Sequence, residues 1–526
     1  MESEPAALPD DALAEVLRRL PPHILAEARR VCKAWRNAVD GRLRGNLLPR
    51  TVRGIFINFA ANHYSEYFAR PSTGPAIDGG LNFLPCAGVT VTGHCDGLLL
   101  CRESRDDASP REYVVNPATR RWARLPKRPP PHMPGFEQTA YLAFEPAVSP
   151  HYQVFLIPRV PLRRLPADGE SDDDDPLLQS EWPPASYLIH VFSSVSQRWD
   201  EMTFLREGEA AGIVANMEWN SWYDQCRFYA VYWQSALYIH CTNDYLTRMS
   251  LSDHTYRVIK LPCASELSGY PKQHLGRSSR GVYCATLDYW NHRLWVWYLS
   301  ESCGQADWVL KHDTCLKTFE HDDYAQQLGK QWILQDVNYR KSTSHDPEYA
   351  YTRDENHKVL MEEKYDWNSD EDNVLDTEDV VEKAEEYDIH ISYFFLGFDP
   401  YKEVIFLISS AVTTTGLAYD WNNSKFQYLG SSCPWLEAYT DPPYGWTDAS
   451  FVYTPCWTGK FPGNELESLF EDEKLYRRKL EQESQLKEES NFTYMGEYEL
   501  RKHSGRSKRA KDYAAKVRRR RHITAR

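Results

Sequence analysis

Leu8-Pro9-Asp10-Asp11-Ala12-Leu13-Ala14-Glu15-Val16-Leu17-Arg18-Arg19-Leu20-Pro21-Pro22 opens an apolar-periodic stretch that closes on Val31-Cys32-Lys33-Ala34-Trp35-Arg36. Leu13, Val16, Leu17 and Leu20 fall at i, i+3, i+4 and i+7, which is one face of a helix. Asp10 and Asp11 stand where carboxylates cap free backbone N–H groups. Pro21-Pro22 stops that helix and can start a second, whose stripe is Leu25 and Ala28. Val31, Ala34, Trp35, Ala38 and Val39 repeat the helical spacing before Gly41. A segment shorter than about 40 residues rarely encloses a core that offsets its own ordering entropy. This trio of helices must therefore pack on the rest of the chain, as a helical cap, or bury its apolar face in another protein.

The remainder of the 526 residues reads differently, and that length allows more than one domain. Aromatic residues make up 13% of the chain, a richness that suits pleated, half-buried surfaces. From about residue 53 the helical period gives way to short strands broken by turns. Ile55–Phe59 is the first, and residues 60–92, rich in Gly, Pro, Ser and Asn, read as loop. Cys95-Asp96-Gly97-Leu98-Leu99-Leu100-Cys101, Tyr113–Pro117 and Trp122–Pro126 then form a unit of turn, strand and aromatic strand. Degenerate copies follow, among them Tyr141–Pro146 with Tyr152–Ile157, Ile189–Trp199, Phe228–Pro262, Gly281–Leu310 and Phe394–Phe426. Repeats of about 40–50 residues built from four short strands are the pattern of a propeller blade. The degeneracy leaves six or seven blades open. Closing the ring hides sheet edges, and the strand Ile55–Phe59 is expected to join the sheet that contains Phe451–Tyr453.

The N-terminal residues resemble an F-box, the helical module that docks a Skp1-type adaptor in cullin-based ubiquitin ligases. The strand-rich region resembles the F-box-associated β-propeller of plant F-box proteins, through Cys95–Leu100, Val115-Asn116-Pro117 with Trp122, Ala230–Trp233 with Ala236–Tyr238, Glu301–Gln305 with Trp308–His312, and Gly397–Glu403. The expected class is mainly β with an α-helical N-terminal module. The expected domains are an F-box over 5–45, a propeller over 53–458 carrying an acidic disordered insertion at 340–388, and a helical or disordered basic tail over 463–526. The resemblance implies a non-catalytic substrate receptor that binds Skp1 through Leu8, Pro9, Leu13, Val16, Leu17, Leu20, Pro21, Leu25, Val31 and Trp35, and a target protein through the propeller.

Charge is unevenly spread. The net charge of −14 argues against broad nucleic-acid affinity. Carboxylates cluster at Asp172–Asp175 and from Glu362-Glu363 to Glu385-Glu386, where like charges repel and there is little to bury. Val374, Leu375, Val380 and Val381 offer a short helix within the second run. The tail carries Lys508, Arg509 and Lys511, then Arg518, Arg519, Arg520 and Arg521, clusters that resemble nuclear import signals and equally suit phosphate contacts. No apolar run approaches the roughly 20 residues needed to span a bilayer. No basic-then-apolar leader is seen, so a nuclear or cytoplasmic location is expected.

Twelve cysteines are scattered without a C-x-x-C pair, and no H-E-x-x-H pattern occurs, so neither a metal nor another cofactor is expected from local spacing. No P-loop, G-x-S-x-G elbow or G-x-G-x-x-G is present. Asp96, Asp399 and Glu403 sit at strand-turn positions, where Asp commonly caps turns, and His240, His312 and His390 read as packed side chains. Two rival readings make different demands. A propeller glycan-processing enzyme requires paired carboxylates converging on a central pocket. A nuclear scaffold requires salt-sensitive binding through the basic tail.

Overall fold

The computed structural model describes residues 9–59, 64–71, 75–86, 88–103, 110–133, 135–160, 176–217, 229–241, 245–262, 272–288, 292–302, 305–316, 332–335, 374–375, 392–410, 414–432 and 447–458. The acidic loop Asp172–Asp175, most of the 340–388 insertion, His390 and the whole 463–526 tail with its basic clusters lie outside them. Contacts divide the chain into two units, Met1–Asn82 with Gly88–Asn464 and Phe83–Ala87 with Glu465–Arg526. The helices and all the blades belong to the first.

Three helices come first: α1 (Asp10–Arg18), α2 (Pro22–Ala28) and α3 (Lys33–Arg42), followed by a 3-10 turn at Arg44–Leu47. Pro21 precedes α2 and Pro22 occupies its first turn, where the missing N–H costs no hydrogen bond. The expected side-chain cap on α1 does not form. Pro9 is the N-cap, and Asp10 and Asp11 lie inside the first turn, where they face the positive end of the helix dipole. Asp11 instead pairs with Arg42 at the far end of α3.

The strands then form antiparallel blades. Blade 1 is Val89–Cys95, Leu98–Glu103, Glu112–Asn116 and Arg121–Arg124. Blade 2 is Glu137–Phe144, Tyr152–Arg159, Ser186–Ser193 and Arg198–Arg206. Blade 3 is Ala230–Trp233, Ala236–Cys241, Tyr245–Ser250 and Thr255–Lys260, and its outer strand meets that of blade 2 in parallel at Leu205↔Thr255 and Arg206↔Tyr256. Blade 4 is Lys272–Ser278, Gly281–Leu287, Arg293–Ser302 and Gln305–Cys315. Blade 5 is Ser392–Phe398, Val404–Ser410, Thr414–Asp420 and Lys425–Ser431. Blade 6 is composite. Thr447–Tyr453 is its inner strand, Gly54–Phe59 and Glu66–Ala69 follow, and Ile333–Gln335 lies outermost.

The inner strands touch in the order of blades 1 to 6 and back to blade 1, which closes a six-bladed ring. The closure pairs Ile55 with Val452 and Phe56 with Phe451, as the sequence leads one to expect. Two expectations are corrected. Residues 60–92 are not all loop, because Glu66–Ala69 is a strand held between Gly54–Phe59 and Ile333–Gln335. Val374–Leu375 is a strand on the outer edge of blade 5, paired with Gln427 and Phe426, and not part of a helix. An exposed edge recruits whatever extended backbone can satisfy its N–H and C=O groups.

Each blade packs on both neighbours, so central strands are buried on both faces. Leu98–Cys101, Val154–Leu156 and Ile405–Ile408 are consequently continuous apolar runs instead of alternating ones. Apolar clusters fill the spaces between successive blades, for example Leu98, Val114, Leu142 and Val154 between blades 1 and 2. Two-residue hairpins hold the registers. Asp96 and Gly97 both have positive φ between the first two strands of blade 1, the geometry that matches strand twist. A Cβ on Gly97 would come within 2.7 Å of the Cys456 backbone nitrogen. Glycine there lets the turn sit against the segment that follows the last strand.

Candidate adaptor-docking site

The helices enclose a small core of their own: Leu13, Leu17, Leu25, Ala28, Ala38, Val39, Leu43 and Leu47, flanked by Leu20, Ala26, Trp35 and Trp457. Val39, Leu43 and Leu47 continue the stripe of α3 into the 3-10 turn, a period that runs past Gly41 and can be read in the sequence. Trp457 comes from the opposite end of the described chain. Its backbone N–H donates to Leu47 O at 3.0 Å, and His23 lies over it at 6.0 Å between ring centroids. Arg44 Nε donates to Pro146 O of the connection between the first two strands of blade 2 at 2.8 Å. Arg29 and Asp40 pair at 2.7 Å between α2 and α3. Removing either partner would strand a poorly solvated charge.

The ten candidate adaptor contacts divide into two groups. Leu13, Leu17 and Leu25 are buried in the module's own core, the last two completely. Leu20 and Trp35 are half-buried against it. Val16 is 56% exposed, Val31 is 63% exposed, and Pro9 and Pro21 face solvent. Leu8 lies outside the described residues. Ile24, 43% exposed on α2, joins the outward group although spacing did not select it. So the buried leucines hold the module together, and the apolar side chains it leaves exposed include Val16, Ile24 and Val31. Leu17 and Val16 are adjacent in sequence, and a helix turns by about 100° per residue. A periodicity that accepts both cannot say which one points inward.

The central channel is the other candidate cavity. About 90 Å³ lies between the six inner strands. Its lining includes His94, Asp96, Tyr229, His274 and Arg277. Among the described lining residues Asp96 is the single carboxylate, and it is ion-paired with Arg277 across the ring. His94 keeps an exposed face in the channel, and its enclosure by the inner strands and then Arg277 hold it below the usual histidine value. His274 is pushed down to about 3 by burial and then by His94. Both imidazoles are therefore neutral at physiological pH. A Cβ on Gly276 would stand 2.1 Å from the Phe398 ring, so the inner strands of blades 4 and 5 approach closely only because glycine is there.

The other turn carboxylates act structurally. Asp399 accepts from the backbone N–H groups of Tyr401 at 2.8 Å and Lys402 at 3.1 Å, the expected side-chain turn. Glu403 pairs with Arg280 at 3.1 Å and accepts from Asn422. His240 is buried, and His312 Nε2 lies 2.8 Å from the Tyr419 hydroxyl. Among the described residues no helix is long and apolar enough to cross a membrane.

Comparison with known proteins matches residues 6–46 to the F-box domain. The chain is 26% identical over 203 residues to F-box protein At5g07610 of Arabidopsis thaliana, a match covering 36% of this chain and 44% of that one. Among solved structures, a protein from Lactobacillus plantarum aligns over 72% of this chain and 82% of its own at 11% identity and a TM-score of 0.31. The WD40 domain of Toxoplasma gondii coronin aligns over 74% and 78% at 12% identity and a TM-score of 0.25. The chain thus carries an F-box domain at the head of a mainly β, six-bladed body, and it resembles plant F-box proteins.

Proposed function

We propose that this chain is the substrate-recognition subunit of a Skp1–cullin–F-box ubiquitin ligase. It binds a Skp1-type adaptor through the helical module and a target protein through the propeller. An F-box domain supports that role in general. The observation that carries the finer reading is the exposure of Val16, Ile24 and Val31 on a module whose own leucines are already buried. Three exposed apolar side chains within one small module support a surface that a partner covers.

In this reading the chain performs no chemistry. It raises the local concentration of the target's lysines at a conjugating enzyme held by the rest of the complex. Rigidity matters to such a device, and the Trp457 and Arg44 contacts tie the docking module to the ring. The ion-paired state of Asp96 supports this reading over that of a glycan-processing enzyme, which needs two carboxylates at work. The basic clusters at 508–521 carry the nuclear part of the proposal.

The test is co-purification of a Skp1-type adaptor with the full chain and with Val16→Glu/Val31→Glu. Each new carboxylate would be desolvated in the interface without a partner, so the adaptor should be lost while the β-sheet circular dichroism stays unchanged. Retention at the level of the intact chain would overturn the docking assignment.

A further inference from the structure

We propose that His132, His190 and Glu201 form a binding site for a divalent late transition-metal ion of the zinc class. The three residues come together by topology. His190 and Glu201 are direct cross-strand partners on the two outer strands of blade 2. His132 comes from the connection between blades 1 and 2, and its ring stacks on His190 with centroids 4.1 Å apart and planes 14° from parallel.

Both Nε2 atoms lie 3.7 Å from the same oxygen, Oε1 of Glu201. That is too long for a hydrogen bond from either imidazole. His132 Nε2 is buried and has no hydrogen-bond partner among the described residues. Two nitrogens and a carboxylate oxygen thus approach one point without bonding to one another. An ion at about 2.0–2.2 Å from each ligand in tetrahedral geometry needs donors about 3.4 Å apart. The donors all lie within 4.8 Å of one another, and because a bound ion sits in the plane of each imidazole, His132 must turn out of its stack on His190 as they close on the ion.

The donor set selects the ion. Two imidazoles with one carboxylate suit zinc, nickel, cobalt or copper, whereas calcium and magnesium require oxygen. Glu201 is 60% exposed, so a fourth position is open to water. Nδ1 of His190 has no acceptor among the described residues. Lack of that support weakens a metal site by about 10- to 100-fold relative to a fully braced one. The ion would fasten the connection between two blades to the outer strands of blade 2.

Cobalt(II) titration of the full chain under reducing conditions tests this. Among the described residues the exposed thiols of Cys32 and Cys315 are competing ligands, and ligation by any thiol adds a near-ultraviolet thiolate charge-transfer band. The expected result is one equivalent of cobalt with tetrahedral visible bands and no thiolate band. Zinc should displace it and magnesium should not. Glu201→Gln and His132→Ala replace residues outside the apolar core, so they should fold, and each should weaken binding by more than about tenfold. Absence of the visible bands, displacement by magnesium, or bands unchanged in both variants would overturn the site.

Discussion

The helical module and the propeller solve the same burial problem at opposite scales. Each blade has a neighbour on either side, so strands such as Gly281–Leu287 are buried along their whole length. The module has α-helices of 9, 7 and 10 residues and no side-chain cap on any of them. It completes its core with Trp457 and still leaves Val16, Ile24 and Val31 outside. A small element borrows surface to fold and keeps surface to lend. The two regions should therefore fail under different insults.

Acid should act on the ring, the larger of the two regions. His94 and His274 have folded-state pKa values of about 4 and about 3, below the usual 6.5. Between 6.5 and those values the unfolded chain binds more protons than the folded one, so stability falls as pH falls. Their contribution is complete well above 6.5 and is lost progressively below it, at up to about 1.4 kcal/mol per pH unit for the buried His274 and less for the solvent-exposed His94. From pH 6.5 to pH 5 the buried His274 should cost the ring about 1.6 kcal/mol, and His94, which is exposed to solvent, adds less. Urea midpoints followed by hydrogen exchange at the two pH values would show the inner strands Val89–Cys95 and Lys272–Ser278 losing protection. A midpoint that does not move between them would mean that the channel admits protons without unfolding.

Truncation should act on the module. Leu17→Ala removes a completely buried side chain from a core of eight residues, a loss of about 3 kcal/mol. That is a large share of what so small a core supplies. Exchange protection over residues 10–47 should collapse while the blades stay protected, and adaptor capture should fail for want of a folded module. Val16→Glu/Val31→Glu should give the same binding defect with protection intact. If Leu17→Ala keeps the module protected, the helices rely on the ring and not on their own core.

How much of this contrast could be read in the sequence depends on the range of the forces. Local period gave the three helices, because Leu13, Leu17 and Leu20 sit one helical turn apart. Turn chemistry gave the Asp96-Gly97 hairpin, because positive φ is cheap only for a few residue types. The need to close a ring gave the pairing of Ile55 with Val452. What stayed illegible is set by chain segments far apart. Ile333–Gln335 completes a blade whose other strands come from the two ends of the repeat region. The Asp96–Arg277 pair joins blades 1 and 4, and reading Asp96 as turn chemistry caught only half of its role. His132, His190 and Glu201 share no ligand spacing, so a search for metal motifs passes over them.

Trp457 tests whether the two regions are independent or joined. It is partly buried, packs against the module's core, and donates its backbone N–H to Leu47. The preceding Cys456 is wholly buried with the blade 1–2 cluster, and its carbonyl accepts from Asn116 Nδ2 at 3.0 Å. The indole thus faces the helices from a backbone fixed to the ring. Trp457→Ala should cost about 2 kcal/mol, less than a full core truncation because the side chain is only partly covered. The backbone hydrogen bond to Leu47 survives the substitution. Hydrogen exchange should quicken across residues 10–47 and stay unchanged in Thr447–Tyr453. Adaptor binding should persist, because Val16, Ile24 and Val31 are untouched, but with the module less firmly held to the ring. If the closing strand loses protection along with the helices, the tryptophan supports both regions, and the separation between them is smaller than their architectures imply.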